Sequence, residues 1–520
     1  MCTKNKIKLF ITLYFYLISF VKSAKILAVI PTPSISHQVV FRPLTQELAR
    51  RGHDVTVITT DPAFPKGQTP KNLTEIDVHD LSYKIWSDVL KTTTGGENDV
   101  CFQFETIMRA MSKVFEGQVY TEEVLNIIHK RKGQFDLLLL EAYSKPILVF
   151  THIYKVPVIQ MSSLGGLQHN YEIVGASTHP LLYPTLAQQR IYNLTNYEKL
   201  QQLYNRWRTE RSFDIIEEDY DELLRKIFGQ DVPPIRDLYN NVHMLFLNVH
   251  PIWTDNQPVP TSVVHIGGIH NHSPQKLPKD LESLLNSSRH GVIYFSLGTN
   301  VIASTALPTN KIQMMKNVFS QLPYDVIWKW DLDTMLNKTD NIKLFKWLPQ
   351  SDLLRHSKVR AFITQGGLQS TDEAIDAGVP LIGIPMFADQ WFNTEKYPRH
   401  KIGVKLDLAT LTEEQFKEAI ENVISDQSYR ENIKRLRSIM RDEPQSPLER
   451  AVWWTEYVLR HGGAKHLRAA GANISWAQYF ELELVVLIIL VLVATLILFV
   501  LSLYCVCKII SRNSSKTKTS

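Results

Sequence analysis

The sequence predicts an α/β protein: two doubly wound domains facing a cleft, followed by one C-terminal transmembrane helix. Three observations carry that prediction. Buried-type apolar strands alternate with helical patterns in two separate series, one opening at Lys25 and the other at Gly291. A Pro-rich, loosely patterned stretch, about Pro251 to Lys279, lies between them. An uncharged apolar run, Leu484 to Cys507, follows the second series and is long enough to cross a bilayer.

Taken in order, Lys4, Lys6 and Lys8 precede the apolar run Leu9 to Val21, and small residues follow at Ser23 and Ala24. This pattern predicts a secretory signal peptide over residues 1–23. The first domain is placed at 24–250. "KILAVIPT" reads as a buried strand, "SHQVVFRPLTQELARRG" as a helix stopped at Gly52, and "DVTVITT" as a second strand. A strand–helix–strand unit implies a parallel sheet. "FDLLLLEA" (Phe135–Ala142), "VPVIQMSS" (Val156–Ser163) and "HMLFLNV" (His243–Val249) add strands, with a helical stretch from about Tyr171 to Ile227. The linker is placed at 251–285 and the second domain at 286–445.

In that second domain "GVIYFSLGT" (Gly291–Thr299) is a strand and Asn310 to Leu322 a helix. "DVIWKW", "IKLFKW", "VRAFITQ" and "PLIGIPM" are further strands, and helices fill roughly Thr412 to Arg441. Ser446-Pro447-Leu448-Glu449 is a capping box with Pro at the first helical position. Its helix runs to Arg460 and stops at Gly462-Gly463, so residues 446–480 are expected to pack back before the membrane. Glu481 and Glu483 flank the span 484–507 on one side; Lys508, Arg512, Lys516 and Lys518 flank it on the other. The positive side stays cytoplasmic, which makes 508–520 a cytosolic tail and the bulk of the chain lumenal or extracellular.

The tail ends in "KTKTS", which resembles the dilysine retrieval signal of endoplasmic reticulum membrane proteins. The expected location is therefore that membrane, single-pass type I. Of four cysteines, Cys2 leaves with the signal peptide and Cys505 and Cys507 sit at the cytosolic membrane edge. Cys101 is then alone in the lumenal part, and stability must come from large cores. Sequons at Asn72, Asn193, Asn271, Asn286, Asn337 and Asn473 fit a glycosylating compartment. The net charge of +5 over 520 residues, without clustered basic stripes, speaks against a nucleic-acid partner.

The chemistry concentrates at "TQGGLQSTDEA", Thr364 to Ala374. An apolar strand runs into two glycines, and Ser370-Thr371-Asp372-Glu373 opens what reads as a helix. Backbone N–H groups and the helix dipole make such a turn an anion site. Neither G-x-x-x-x-G-K-[ST] nor G-x-G-x-x-G is present, which removes the standard nucleotide fingerprints and with them a soluble nucleotide-dependent dehydrogenase.

The wider stretch "FKWLPQSDLLRHSKVRAFITQGGLQSTDEAIDAGVPLIGIPMFADQWFN", Phe345–Asn393, resembles the signature of the UDP-glycosyltransferases, and "FITQGGLQSTDEA" looks most like their insect branch. With the domains, signal peptide, anchor and tail, the resemblance covers nearly the whole chain. It implies the glycosyltransferase-B fold of two Rossmann-like domains, the C-terminal half binding a UDP-sugar and the N-terminal half the acceptor. The residues supply reasons. Trp347 offers a flat face for uracil, and Gln350 a hydrogen bond to a nucleoside edge or ribose. Gly366-Gly367 lets backbone approach a diphosphate, and Glu373 is placed for ribose hydroxyls, or else forms a plain capping box with Ser370. Asp389-Gln390 suits sugar hydroxyls. Ser296 and Lys329 match family positions near the phosphates, and Gln369 joins the substrate-binding set. Gln365 stands where many members have His.

His37 follows the first strand at the start of the first helix, where the resemblance places the general base. Glu141, after "DLLLL", matches the helper carboxylate, usually Asp. Asp136 is the runner-up but sits at the strand's entrance. Asp331-Leu332-Asp333 looks like a metal-binding Asp-x-Asp yet reads as a loop after Trp330, and His265, His270 and His272 are expected to face solvent.

The expected activity is inverting transfer of a hexose, glucose by the insect-like wording, from a UDP-sugar to a hydroxyl of a small lipophilic acceptor, without metal or cofactor. The acceptor is expected to lie against the helical stretch after Ser163. The rival is a non-catalytic, membrane-tethered binding protein for small lipophilic ligands; a homo-oligomer is left open.

Overall fold

The computed structural model describes residues 23–91, 99–130 and 134–516. Nearly all of the expected signal peptide, and Lys518 of the tail, lie outside the described residues.

Continuous apolar runs, such as the "ILAVI" that follows Lys25 and the "LLLL" that precedes Glu141, cannot leave one face in water, so they enter sheets covered on both sides. β1 (Lys25–Ile30), β2 (Asp54–Thr59), β3 (Leu73–Asp77), β4 (Leu137–Glu141), β5 (Val158–Ser162), β6 (Val242–Leu247) and β7 (Val263–His265) form a parallel sheet in the order β3-β2-β1-β4-β5-β6-β7. Within the pair β1 and β4, Leu27 stands opposite Leu138 and Val29 opposite Leu140. One face of this sheet presents Ile26, Ala28 and Ile30 to Phe41, Leu44 and Leu48 of the helix Ile35–Arg50. The other presents Leu27, Val29, Leu138 and Leu140 to Phe104, Met108 and Phe115. Each such buried side chain contributes roughly 1.5–3 kcal/mol.

The second sheet holds β8 (Val292–Ser296), β9 (Asp325–Lys329), β10 (Ile342–Phe345), β11 (Val359–Thr364), β12 (Leu381–Gly383) and β13 (Gly403–Lys405), in the order β10-β9-β8-β11-β12-β13 and again parallel. The strand order reverses between β1 and β4 in one sheet and between β8 and β11 in the other. Ligands of doubly wound sheets bind beyond the carboxyl ends of strands at these switch points.

After the second sheet the chain returns to the first. Helix Pro447–Arg460 buries Ala451, Val452 and Val458 in the same cluster as Phe41 and Leu44. Its capping box is complete, with Ser446 Oγ accepting from Glu449 N at 3.2 Å and Ser446 N donating to the Glu449 carboxylate at 2.9 Å. The last helix, Leu482–Lys516, contains the apolar span Leu482–Ser511, whose most apolar eighteen residues have mean hydropathy 3.6 and are none of them buried. It is long and apolar enough to cross a membrane.

Three features differ from the sequence expectation. The stretch read as linker, 251–285, contains β7, which pairs with β6 and completes the first sheet. A three-residue strand is too short to show a period. The stretch read as helical from Tyr171 to Ile227 is two helices, Gln168–Val174 and Asn196–Phe228, separated by irregular chain. Gly175, in the left-handed region at φ 75°, ends the first, and a Thr195–Glu198 capping box starts the second. Helices His79–Lys91 and Val100–Val119, between β3 and β4, carry side chains into the cleft.

Candidate active site

A cavity of about 440 Å³ lies between the two sheets, lined by residues from both. On the N-terminal side, β1 ends at the first switch point and the chain turns through Thr32 and Ser34 into the helix that carries His37. β4 delivers Glu141 to the same place. The Glu141 carboxylate is fully buried. Its Oε2 accepts from Thr32 N at 3.2 Å and from Thr32 Oγ1 at 2.7 Å, while Oε1 lies 2.8 Å from His37 Nδ1. Ser163 Oγ lies 2.9 Å from the same nitrogen. A carboxylate accepts only, so Nδ1 carries the hydrogen and Nε2 the lone pair. Asp136 is elsewhere: its Oδ2 accepts from Lys25 N at 2.8 Å and fixes the entrance of β1.

On the C-terminal side, β11 ends at Thr364 and the glycine turn follows. Gly366 has φ 89°, and a Cβ there would stand 2.3 Å from Thr394 Cγ2; the turn requires glycine twice over. Gly367 differs. Its φ of −60° is ordinary, and a Cβ would meet only the Gln365 amide at 3.7 Å. The space above Gly367 is open to the cavity.

The helix begins at Leu368, ahead of the Ser370 start read from the sequence, with Gly367 as N-cap and no side-chain cap. The Ser370–Glu373 capping box does not form. Instead Gln350 Nε2 donates to Glu373 Oε2 at 2.7 Å and to Ser370 Oγ at 2.9 Å, and Gln350 Oε1 accepts from Tyr294 OH at 3.0 Å. Burial pushes the Glu373 carboxyl up to about 7. The Trp347 face is 65% exposed, with Lys329 Nζ 5.1 Å from the ring centroid. Lys329 Nζ donates to Gly298 O at 2.7 Å, and burial lowers its pKa. Ser296 Oγ accepts from Gly298 N at 3.2 Å. The Gln365 side chain lies against Gly298, with its Oε1 buried and unpartnered. A helix N-terminus, a half-buried ammonium and amide donors thus surround one end of the cavity, which suits an anion.

Asp389 and Gln390 divide their work. Asp389 Oδ2 accepts from Leu368 N at 3.2 Å and Asn393 Nδ2 at 2.7 Å, and burial raises the carboxyl to about 6. Gln390 Oε1 accepts from Met386 N at 2.8 Å and Phe387 N at 2.7 Å, holding the loop that follows β12. Gln369, expected on substrate, directs its Nε2 to Ser163 O across the cleft at 2.9 Å. Ser34 Oγ likewise donates to Asn300 Oδ1 at 3.0 Å.

The other sequence candidates separate. Asp331 accepts from Ser304 N at 2.9 Å, whereas Asp333 points to Lys346 at 2.8 Å. His272 is exposed, but His265 and His270 are not solvent-facing as expected. Burial pushes both imidazoles down to about 4, and His270 lines the cavity beside Gln350 and Glu373. A second correction concerns the apolar wall. Trp86, Phe104, Ile107, Met108 and Met111 come from helices ahead of β4, and only Leu164 and Leu186 from the stretch after Ser163. Those two helices carry the apolar period, which is the signal that reveals them; Ser163 and His270 have no local signal at all.

Comparison with known proteins places this geometry. The family model described as "UDP-glucoronosyl and UDP-glucosyl transferase" matches residues 24–517. An ecdysteroid UDP-glucosyltransferase of Lymantria dispar multicapsid nuclear polyhedrosis virus is 36% identical over 477 residues, covering 90% of this chain and 93% of the relative. UDP-glucosyltransferase 2 of Dactylopius coccus is 33% identical over 486 residues, covering 92% of each. Among solved structures, the calicheamicin glycosyltransferase CalG4 aligns with a TM-score of 0.56 at 17% identity, over 84% of this chain and 99% of its own. The glycotransferase of kitacinnamycin aligns with a TM-score of 0.57 at 18% identity, over 84% and 98%. Both likenesses bear on the fold, the two-sheet glycosyltransferase-B architecture.

Proposed function

The chain belongs to the UDP-glucuronosyl and UDP-glucosyl transferase family and is a UDP-glycosyltransferase; from that premise we propose that it moves glucose from UDP-glucose to a hydroxyl of a small lipophilic acceptor, with His37 as general base. The observation that carries the reading is the 2.8 Å contact between His37 Nδ1 and the buried Glu141 carboxylate at the rim of an apolar-walled cavity. It leaves Nε2 as the basic nitrogen. In the proposed reaction Nε2 takes the acceptor's O–H proton as the oxygen bonds to the anomeric carbon. The bond from that carbon to the β-phosphate oxygen breaks on the opposite face, UDP leaves, and the configuration inverts.

The donor is assigned to 286–445. Uracil stacks on Trp347, and the ribose meets Glu373 and Gln350. The diphosphate sits over Gly367 at the helix N-terminus, near Lys329, Ser296 and Gln365, and the hexose reaches Asp389 and Gln390. Protein dipoles and one ammonium balance the leaving charge, so no cofactor or metal is assigned. The acceptor is assigned to 24–250, against Trp86, Phe104, Ile107 and Met108. The viral relatives are named ecdysteroid UDP-glucosyltransferases, which supports an ecdysteroid as an acceptor of that class. We further assign the protein to the endoplasmic reticulum membrane, catalytic part lumenal. Its glycans should stay of the high-mannose type, and complex glycans would refute retrieval by Lys516 and Lys518.

Microsomal full-length protein incubated with UDP-glucose and a panel of phenols and steroids tests the activity. The reading predicts a β-glucoside, seen in the anomeric proton coupling of the product. An α-glucoside would refute inversion, and UDP-glucose bound without turnover on any acceptor would favour a binding protein.

A further inference from the structure

Ser163 stands where the two halves of the site meet. It follows β5 directly, so the rigid sheet fixes its backbone. Its hydroxyl is 2.9 Å from His37 Nδ1, on the nitrogen that Glu141 also holds. Its carbonyl accepts two hydrogen bonds of 2.9 Å, one from Asn248 Nδ2 of the same domain and one from Gln369 Nε2 of the other. Asn248 is itself tied down, with Oδ1 accepting from Gly268 N at 3.1 Å and its own N–H donating to Ser162 O at 3.2 Å. Gln369 is the second residue of the helix whose N-terminus faces the proposed diphosphate site.

We propose that Ser163 is a positioning residue that couples the donor-side helix to the base: its carbonyl senses Gln369 and its hydroxyl aligns the His37 ring. The inference rests on His37 being the base. Two acceptors around one Nδ1–H make a three-centre bond that holds the ring in plane and aims Nε2 at the cavity. Of the two donors on the Ser163 carbonyl, only Gln369 belongs to the other half. When the halves close around a donor, Gln369 completes the set and fixes the peptide that carries the hydroxyl. When they part, Asn248 alone holds the carbonyl and the Ser163 hydroxyl is held less firmly. The base is therefore aligned best when the two halves meet, the arrangement in which a UDP-sugar is held between them.

The coupling makes a prediction that a merely structural residue does not. In the full-length membrane-anchored enzyme, Ser163→Ala should lower kcat about tenfold, the effect of losing one neutral hydrogen bond in the reacting complex. UDP affinity and the KM for UDP-glucose should stay within twofold. Ser163→Thr, which keeps the hydroxyl, should recover most of kcat. Gln369→Ala should lower kcat by a similar factor, and the double variant should be no slower than the worse single one, because both act along one chain of contacts. A multiplicative double variant overturns the coupling. So do equal losses in the Ala and Thr variants, or an unchanged kcat in Ser163→Ala. A parallel His37→Ala arm separates the two ideas: full activity there removes the base itself, whereas an inactive His37→Ala beside a fully active Ser163→Ala removes only the positioning role.

Discussion

Replacing Glu141 by Gln changes one atom of the site and should nevertheless slow turnover clearly. The buried carboxylate offers Oε2 to two Thr32 donors and Oε1 to His37 Nδ1. A Gln in the same rotamer keeps its carbonyl oxygen on Thr32, which has the two donors, and must turn its NH₂ toward His37. Nδ1 then becomes the acceptor and Nε2 takes the hydrogen, so the nitrogen facing the acceptor substrate is no longer a base. Restoring the active tautomer would set N–H against N–H about 2.8 Å apart; Nδ1–H keeps Ser163 Oγ as acceptor, and the amide N–H is left buried and unpaired. At about 1–3 kcal/mol for that donor, the rate should fall by about 5- to 10²-fold. Glu141→Ala lacks the wrong-tautomer bond and admits water, and should lose on the order of 10²-fold. The assay is initial-rate UDP release with saturating phenolic acceptor, alongside UDP binding by calorimetry. Binding should be unchanged in both variants, since the donor site lies on the other domain. Glu141→Gln turning over within threefold of the native enzyme would refute the tautomer argument.

The glycine turn predicts a split: Gly366→Ala should fail to fold stably, because its Cβ would stand 2.3 Å from Thr394 Cγ2, whereas Gly367→Val should fold normally and lose UDP affinity on the order of tenfold or more. Native melting of a Gly367→Val protein together with native UDP affinity would remove the diphosphate from that turn. Glu373→Gln should raise Tm at pH 8 and leave it unchanged near pH 4. With the folded carboxyl raised to about 7, the native state binds an extra proton above the unfolded value, so stability falls as pH climbs toward 7 and stays low beyond it. The same variant should bind UDP less tightly, and a lower Tm at pH 8 would contradict the burial argument. Chelators should leave turnover unchanged, and a strict need for Mg²⁺ or Mn²⁺ would return attention to Asp331 and Asp333.

What the sequence disclosed, and what it hid, divides along a physical line. β1, β4 and β11 are legible because burial on both faces forces long apolar runs, broken in β11 by the exposed Arg360, and Ser446 because its capping partners are neighbours in sequence. The glycine turn was legible as backbone chemistry. The start of the next helix was misplaced by treating Ser370 as a cap, when the helix begins uncapped at Leu368. β7 and β13, three residues each, are made by their neighbours and have no pattern of their own. Ser163, His270 and the reach of Gln369 across the cleft depend on which strands end side by side, a property of topology. The apolar wall of Trp86 and Phe104 is not legible as a wall, because an amphipathic period marks a face to be covered without saying whether sheet or cavity covers it.

The central claim is a division of labour: the base on the first domain, the UDP-sugar on the second. His37→Ala tests it most directly, with UDP-glucose turnover and UDP binding measured on the same full-length preparation. The geometry predicts transfer reduced by at least about 10²-fold with UDP affinity within twofold of the native protein. Turnover near the native rate would remove His37 from the chemistry, and a parallel collapse of UDP affinity would contradict the separation of the two sites.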